Sequence, residues 1–151
     1  MSENMNTYCM PNVGCLIGTV YQLLLGQLAA ALDRAELDIT PPEYLVLRTL
    51  YSRDGMQQCE IASVVGKDKG AISRCVAAMV KKKLVVTESV SHKCMRVYLS
   101  PKACEIKPSV MQVADDCHNS LASLLTIDEM AQFGNILGKI VNNLTYKKVI
   151  L

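Results

Sequence analysis

The chain has 151 residues, of which half are hydrophobic, and its formal net charge is +2. This length allows one domain with a proper core and is short for two. With no Trp and a single Phe, the composition favours helices packed by aliphatic side chains over a β-sandwich. Two His leave little for a catalytic base, and no nucleophile elbow, Gly-rich phosphate loop or HExxH motif occurs, so we do not expect an enzyme.

The seven cysteines are odd in number, and no two have CxxC spacing. This argues against a zinc ribbon, a redoxin motif and a disulfide framework. Cys117 and His118 are metal-ligand types, but neighbouring residues point to different sides of a helix. The N-terminus lacks the basic start of a signal peptide. We therefore expect reduced thiols, a cytoplasmic location, and neither a metal site nor a cofactor.

The first predicted helix follows a loose arm over residues 1–11 and extends over residues 12–36. It contains twenty uncharged residues, Val13 to Leu32, which is about the length that spans a bilayer. Gln22 and Gln27 interrupt this run, and its apolar residues recur at three- and four-residue steps. We expect a helix buried between two subunits and no membrane partner; membrane insertion is the alternative.

Local signals predict the elements of residues 40–100. Thr40 and Glu43 form a capping box around Pro41. The predicted order is a helix to about Arg53 ended by Gly55, helices at about Gln57–Val65 and Asp68–Lys82, strands Leu84–Glu88 and Met95–Leu99, and a loop Ser89–Cys94.

Two long helices follow, one capped by Ser100 and the other begun by a capping box at Thr126. Apolar residues of the first lie close to a heptad seam. The resulting prediction is a single mainly α domain with a small β-hairpin wing: a winged helix-turn-helix lobe over residues 40–100, with dimerisation helices over residues 12–36 and 101–147. Interleaved in a two-fold homodimer, these helices would cover their apolar surface; a monomeric helical layer folded back on the domain is the alternative.

Positive charge is concentrated in the predicted lobe. The segment from Lys67 to Arg96 has eight basic and two acidic residues, a net charge of +6 that leaves −4 for the rest of the chain. A cationic helix-turn-helix with a hairpin suits duplex DNA, because neutralising phosphates and releasing their counterions supplies most non-specific affinity. The alternative for any single Lys is an ordinary solvated side chain.

The second helix of a helix-turn-helix presents its first turns to the major groove. In this chain the candidate DNA-binding residues there are Lys67, Asp68, Lys69, Gly70, Ser73 and Arg74. Ile72, Val76 and Met79 recur at helical spacing and should face inward, so Lys69, Ser73 and Arg74 should face the DNA. Asp68 is the expected N-cap, and Arg74 is the best candidate for bidentate recognition of guanine or for holding a phosphate. The candidate DNA-binding residues of the wing, in order of preference, are Lys93, Arg96 and His92, because a cation at the tip of the wing can enter the minor groove. The alternative is a surface hairpin whose charges only maintain solubility.

With these motifs, the chain resembles the MarR (multiple antibiotic resistance regulator) family of bacterial transcription regulators over roughly residues 13–146. The segments that carry the resemblance are Leu37–Tyr44, Asp68–Arg74 and Val97–Ser100. The resemblance implies a triangular homodimer on pseudo-palindromic operators. It also implies repression relieved by a small ligand or oxidant, with the ligand often bound between the dimerisation helices and the DNA-binding lobe.

The chain departs from the family pattern at four positions. Ser91 and Lys93 stand where the wing usually has Asp and Arg, and Lys83 and Ala103 stand where glycines are common. Some relatives sense peroxide through a cysteine near the position of Cys15, so a thiol-based sensor is one alternative, although packing is the simpler role for this residue. Another is a winged-helix scaffold that binds a protein partner through its helical layer.

Overall fold

The computed structural model describes residues 12–91 and 94–147, with side chains to residue 145. The predicted arm over residues 1–11 lies outside this range. The helices and strands, in chain order, are α1 Val13–Arg34, α2 Pro41–Ser52, β1 Met56–Gln57, α3 Gln58–Val65, α4 Lys69–Lys81, β2 Val85–Ser91, β3 Cys94–Leu99, α5 Pro101–Ala122 and α6 Ile127–Lys147. The predicted fold class, a mainly α winged helix-turn-helix, is confirmed.

The small sheet is larger than the predicted hairpin. Its strand order is β1-β3-β2, with both pairings antiparallel. The two residues of β1 were not predicted as a strand; Met56 pairs with Val97 in β3. The predicted loop Ser89–Cys94 is also too long, since β2 continues to Ser91 and β3 begins at Cys94, with an irregularity in β2 between Ser89 and Ser91. The strand β3 is therefore hydrogen-bonded to a neighbouring strand on each side.

Side-chain caps explain where most of the helices begin. At α2, Glu43 Oε2 accepts from the Thr40 N–H at 2.8 Å, which confirms the predicted capping box. At α6, Thr126 and Glu129 form the second one. Ser100 Oγ accepts from the Ala103 N–H at 3.1 Å in the first turn of α5. These bonds satisfy N–H groups that have no partner within the helix.

The helix α4 ends in a Schellman motif whose left-handed residue is not glycine. The Leu84 N–H donates to the Met79 carbonyl at 2.9 Å, and the Lys83 N–H donates to the Val80 carbonyl at 3.0 Å. Lys83 has φ +59°. Glycine adopts this conformation without the steric cost of a Cβ, so Lys83 carries a cost here that glycine would not.

The core lies where α2, α3, α4 and the sheet meet. Its fully buried large side chains are Leu32, Leu47, Leu50, Ile61, Met79, Leu84, Val46, Val76, Val85, Val97 and Val110. One compact unit ends at Val113 and a second begins at Ala114, within α5. The prediction of a single domain therefore stays a prediction.

Apolar surface is left open in each unit. In the first unit, α1 buries only Leu28 and Leu32. Its exposed large apolar residues are Val13, Leu16, Ile17, Val20, Tyr21 and Leu23. In the second unit, no described side chain is buried. Of the described helices, α1 alone is long and apolar enough to cross a membrane by length and composition.

Candidate nucleic-acid interface

The helix α4 has one buried face and one open face. Ile72, Val76 and Met79 are 3%, 1% and 0% exposed, as the apolar periodicity of the sequence predicted. The six predicted DNA-binding residues of this segment are all exposed: Lys67, Asp68, Lys69, Gly70, Ser73 and Arg74. Burial of one face against α2 and α3 therefore fixes which side chains α4 can offer to a partner.

Asp68 and Arg74 come close to each other over the first turn of α4. Asp68 Oδ1 accepts from the Ala71 N–H at 2.8 Å, the predicted N-cap. This backbone hydrogen bond lowers the pKa of Asp68, and the positive charge of Arg74 lowers it further. A Cβ on Gly70 would lie 3.1 Å from Asp68 Oδ1 and 3.4 Å from Arg74 Nη1. Gly70 thus leaves room for the guanidinium to lie across the start of the helix.

The lysines at the end of α4 do not share one role. Lys82 Nζ lies 2.9 Å from Glu43 Oε2 and 3.1 Å from Asp38 Oδ1. Desolvation lowers the pKa of Lys82, but the hydrogen bonds to Glu43 and Asp38 outweigh this and raise it. Lys82 therefore ties the end of α4 to the start of α2, whereas Lys81 and Lys83 are exposed. The sequence suggested either solvent or DNA contact for this cluster and gave no hint of the ion pair.

The wing carries the remaining predicted site residues. His92 and Lys93 lie outside the described part of the chain, so their assignment stays a prediction. Arg96 is half-buried, and its Nη1 donates to the Gly55 carbonyl at 2.6 Å. In register, it lies between Gln57 of β1 and Glu88 of β2. The structure places Arg96 at the base of the wing, where it fixes the turn after α2; its DNA contact also stays a prediction.

A cavity of about 810 Å³ lies between α2, α3 and the first turns of α5. Its lining residues are Leu45, Arg48, Thr49, Tyr51, Ser52, Arg53, Met56, Val64, Val65, Lys107 and Met111. Three of these are cations and none is acidic. Arg53 is paired with Glu60 at 2.6 Å, and the Lys107 Nζ lies 5.2 Å from the centroid of the Tyr51 ring. Arg48 is exposed and makes no ion pair within the described residues.

Tyr51 fixes one wall of this cavity. Its hydroxyl donates to the Ala103 carbonyl at 2.7 Å, which joins α2 to α5. Burial raises the pKa of Tyr51 to about 12, and the nearby Cys104 contributes in the same direction. Tyr51 therefore stays neutral near pH 7 and contributes a rigid apolar surface. The cavity lies between the DNA-binding lobe and α5, where the family resemblance implies a ligand site. Its lining residues were not predicted, although Leu45, Arg48 and Ser52 share a helical face that could have suggested them.

Comparisons with known proteins agree with the geometry. Residues 37–93 match the sequence profile described as MarR family. A mutant of E. coli MarR in complex with operator DNA is 27% identical over 85% of this chain and 92% of that one, with a TM-score of 0.76. By sequence profile and by fold, the chain resembles the MarR family.

Two further solved structures are similar in fold. S. aureus MepR in a DNA complex is 20% identical over 88% of this chain and 98% of that one, with a TM-score of 0.79. CouR from Rhodococcus jostii RHA1, bound to p-coumaroyl-CoA, is 20% identical over 86% of this chain and 91% of that one, with a TM-score of 0.73. Among curated proteins, none matches the sequence. MarR-family transcription regulators are DNA-binding proteins and not enzymes, which is the class expected from the sequence.

Proposed function

We propose that this protein is a cytoplasmic, sequence-specific repressor of transcription that binds duplex DNA as a homodimer. The observation that carries the proposal is the open face of α4, where Lys67, Lys69 and Arg74 are exposed above a fully buried apolar face. Exposed cations on a rigid helix are what phosphate contact and base readout require. The relatives solved with DNA support the same assignment.

The proposed division of labour follows from side-chain chemistry. Arg74 carries a planar guanidinium with five donors, which can contact guanine O6 and N7 together. Lys67 and Lys69 carry point charges that suit phosphates. Ser73 lies on the same open face and can hydrogen bond to a base edge or a phosphate. Lys93 and His92 at the wing would contact the neighbouring minor groove.

A homodimer is supported by the apolar side chains that each chain leaves open. Leu16, Ile17 and Val20 in α1 are 40–45% exposed, and Val141 and Leu144 in α6 are 61% and 63% exposed. Soluble monomers rarely expose apolar stripes of this length. A second copy that covers these helices would also place two α4 helices on one duplex, so that each reads one half-site.

Salt dependence provides the test of DNA binding. We expect affinity for a duplex selected from a random pool to fall steeply with salt concentration, because several phosphate contacts release counterions. Fluorescence anisotropy across a salt series measures the slope of log K against log salt, and titration at high DNA concentration should give two chains per duplex. A slope near zero, or binding of a protein partner without DNA affinity, would instead favour the scaffold alternative.

The cavity beside α2 supports release by a small ligand. Arg48, Arg53 and Lys107 provide positive charge, while Leu45, Val64 and Met111 provide apolar wall. This combination suits an organic anion with an apolar body. CouR was solved with p-coumaroyl-CoA, a ligand of that general chemistry. We therefore propose an organic anion, such as an aromatic carboxylate or an acyl thioester, as the effector.

Removing charge from the cavity tests the effector class. Arg48→Gln should weaken binding of an aromatic carboxylate about tenfold or more, because a charge-assisted hydrogen bond contributes roughly 1.5–3 kcal/mol. Calorimetric titration measures this affinity, and Arg34→Gln is the matched control because Arg34 is an exposed arginine at the end of α1. Equal binding of the carboxylate and of its neutral amide would contradict the assignment.

The oxidant-sensing alternative rests on Cys15. This residue is an exposed free thiol on α1. No basic residue lies near it in sequence, although a reactive thiolate usually needs one. The role of Cys15 as a redox site therefore remains a hypothesis, and the packing role in a dimer is the simpler proposal.

A further inference from the structure

A small pocket beside the first residues of β3 is lined by two cysteines. The pocket has a volume of about 180 Å³, and its lining residues are Gln57, Gln58, Cys59, Lys69, Cys94 and Met95. Cys59 lies in the first turn of α3, and Cys94 is the first residue of β3. Both are free thiols; Cys59 is exposed and Cys94 is half-buried. The two cysteines are far apart in sequence, and the fold places both of them in the wall of one pocket.

The sheet explains why these two residues meet. Gln57 of β1 lies opposite Arg96 of β3 in an antiparallel pair. Cys59 follows Gln57 by two residues, and Cys94 precedes Arg96 by two residues, so both continue past the same end of this ladder. Lys69, at the start of α4, forms another part of the wall. The wall of the pocket thus contains two thiols and one ammonium group.

We propose that Cys59 and Cys94 form a binding site for a soft monovalent metal ion held between two thiolates. Thiolates select soft ions such as Cu(I) over hard ones. Within residues 12–91 and 94–147, no group of three or more His, Cys, Asp or Glu could hold a metal ion. A pair of sulfur ligands instead suits an ion that accepts two-coordinate, linear geometry.

The charge of the complex also fits the pocket. Two thiols lose two protons and take up one monovalent cation, which gives a bis-thiolate complex with a net charge of −1. No electrons are transferred. The Lys69 ammonium at the wall of the pocket offsets this negative charge, whereas a divalent ion would give a neutral complex and would gain nothing from Lys69.

Occupancy of this site would change the DNA-binding surface, a consequence that rests on the proposed function. Lys69 is one of the exposed cations at the start of α4. A negative complex beside it reduces the positive potential that faces phosphate. DNA affinity should therefore fall, and the salt slope should decrease by about one phosphate contact per chain.

Silver(I) is the probe for the site, because it is a soft monovalent ion that does not oxidise thiols to disulfides. Native mass spectrometry of the full chain with glutathione as competitor should show one silver ion retained per chain. Cys59→Ser and Cys94→Ser should each weaken retention by about 100-fold, since the second thiolate acts at a high effective concentration. Cys104→Ser removes an exposed thiol outside the pocket and should leave retention unchanged.

A second measurement uses only the unmodified protein, so that misfolding of a variant cannot decide the outcome. One equivalent of silver(I) should protect Cys59 and Cys94 together from alkylation, while the exposed Cys104 stays reactive; peptide mass spectrometry reports each position. Protection of only one of the pair, loss of silver in Cys104→Ser, or one ion shared by two chains would overturn the proposal. Neither measurement involves DNA. A protein that retains silver but fails to bind DNA would refute the proposed function alone.

Discussion

Replacement of Arg74 by glutamate should lower affinity for the selected duplex by at least about 100-fold. A bidentate contact with guanine contributes roughly 1–3 kcal/mol, and a two-fold dimer loses two of them. The new carboxylate also faces phosphate from the open side of α4, near Asp68, and adds repulsion. Mobility shift or anisotropy measures the loss at fixed salt.

Arg34→Glu is the matched control for this experiment, because it makes the same charge change at an exposed residue in the last turn of α1. It should reduce affinity only slightly. Arg74→Lys separates the two possible roles of Arg74: a phosphate contact largely survives this change, whereas bidentate readout does not. Full DNA binding by Arg74→Glu would show that the open face of α4 is not the interface.

Replacement of Glu43 by alanine should destabilise the fold by about 2–3 kcal/mol. Removing one partner of a buried ion pair costs roughly 3–5 kcal/mol, and the loss is smaller here because the Lys82 side chain is 24% exposed and retains Asp38. The Glu43 side chain is only 4% exposed, and it accepts from both the Thr40 N–H and Lys82 Nζ. Thermal unfolding should show a decrease in Tm of roughly 4–12 °C for a chain of this size.

Glu43→Gln separates the cap from the charge. Glutamine can complete the capping box but cannot neutralise Lys82, so this variant should lose less stability than alanine does. A double-mutant cycle with Lys82→Met gives the coupling directly, with about 0.5–3 kcal/mol expected for contacting groups. Unchanged stability in Glu43→Ala would mean that the ion pair contributes nothing.

The stability that the Glu43–Lys82 ion pair contributes should decrease at high pH. The pKa of Lys82 is raised in the folded state, mainly by its hydrogen bonds to Glu43 and Asp38 once the opposing desolvation is overcome. Its contribution is therefore complete below the ordinary pKa of lysine and is lost as the pH rises through the raised value. As Lys82 loses its proton in alkaline solution, the stability difference between the unmodified protein and Glu43→Ala should shrink.

The sequence predicted features that depend on neighbours in the chain. The capping box of Thr40 and Glu43 and the N-cap Asp68 are local hydrogen-bond patterns, so they could be recognised from residue types a few positions apart. The buried face of α4 followed from helical periodicity. The exposure of Lys69 and Arg74 followed from the same periodicity, since the opposite face is buried.

Features that depend on distant parts of the chain could not be predicted. The two-residue strand β1 exists only because β3 pairs with it, and no periodicity can appear in two residues. Glu43 has a complete local role as a cap, so nothing in the sequence pointed to Lys82. Cys59 and Cys94 each look like isolated thiols until the sheet brings them to one pocket.

The short strand β1 connects the cavity beside α2 to the wing. Met56 lines the cationic cavity beside α2, and it is also paired with Val97 in the central strand of the wing. Gly55, the preceding residue, accepts the hydrogen bond from Arg96. An effector that displaces Met56 would pull directly on the strand that carries the wing. Communication between effector and operator would then need no relay through the helical layer, and it would act within a single subunit before any rearrangement of the dimer.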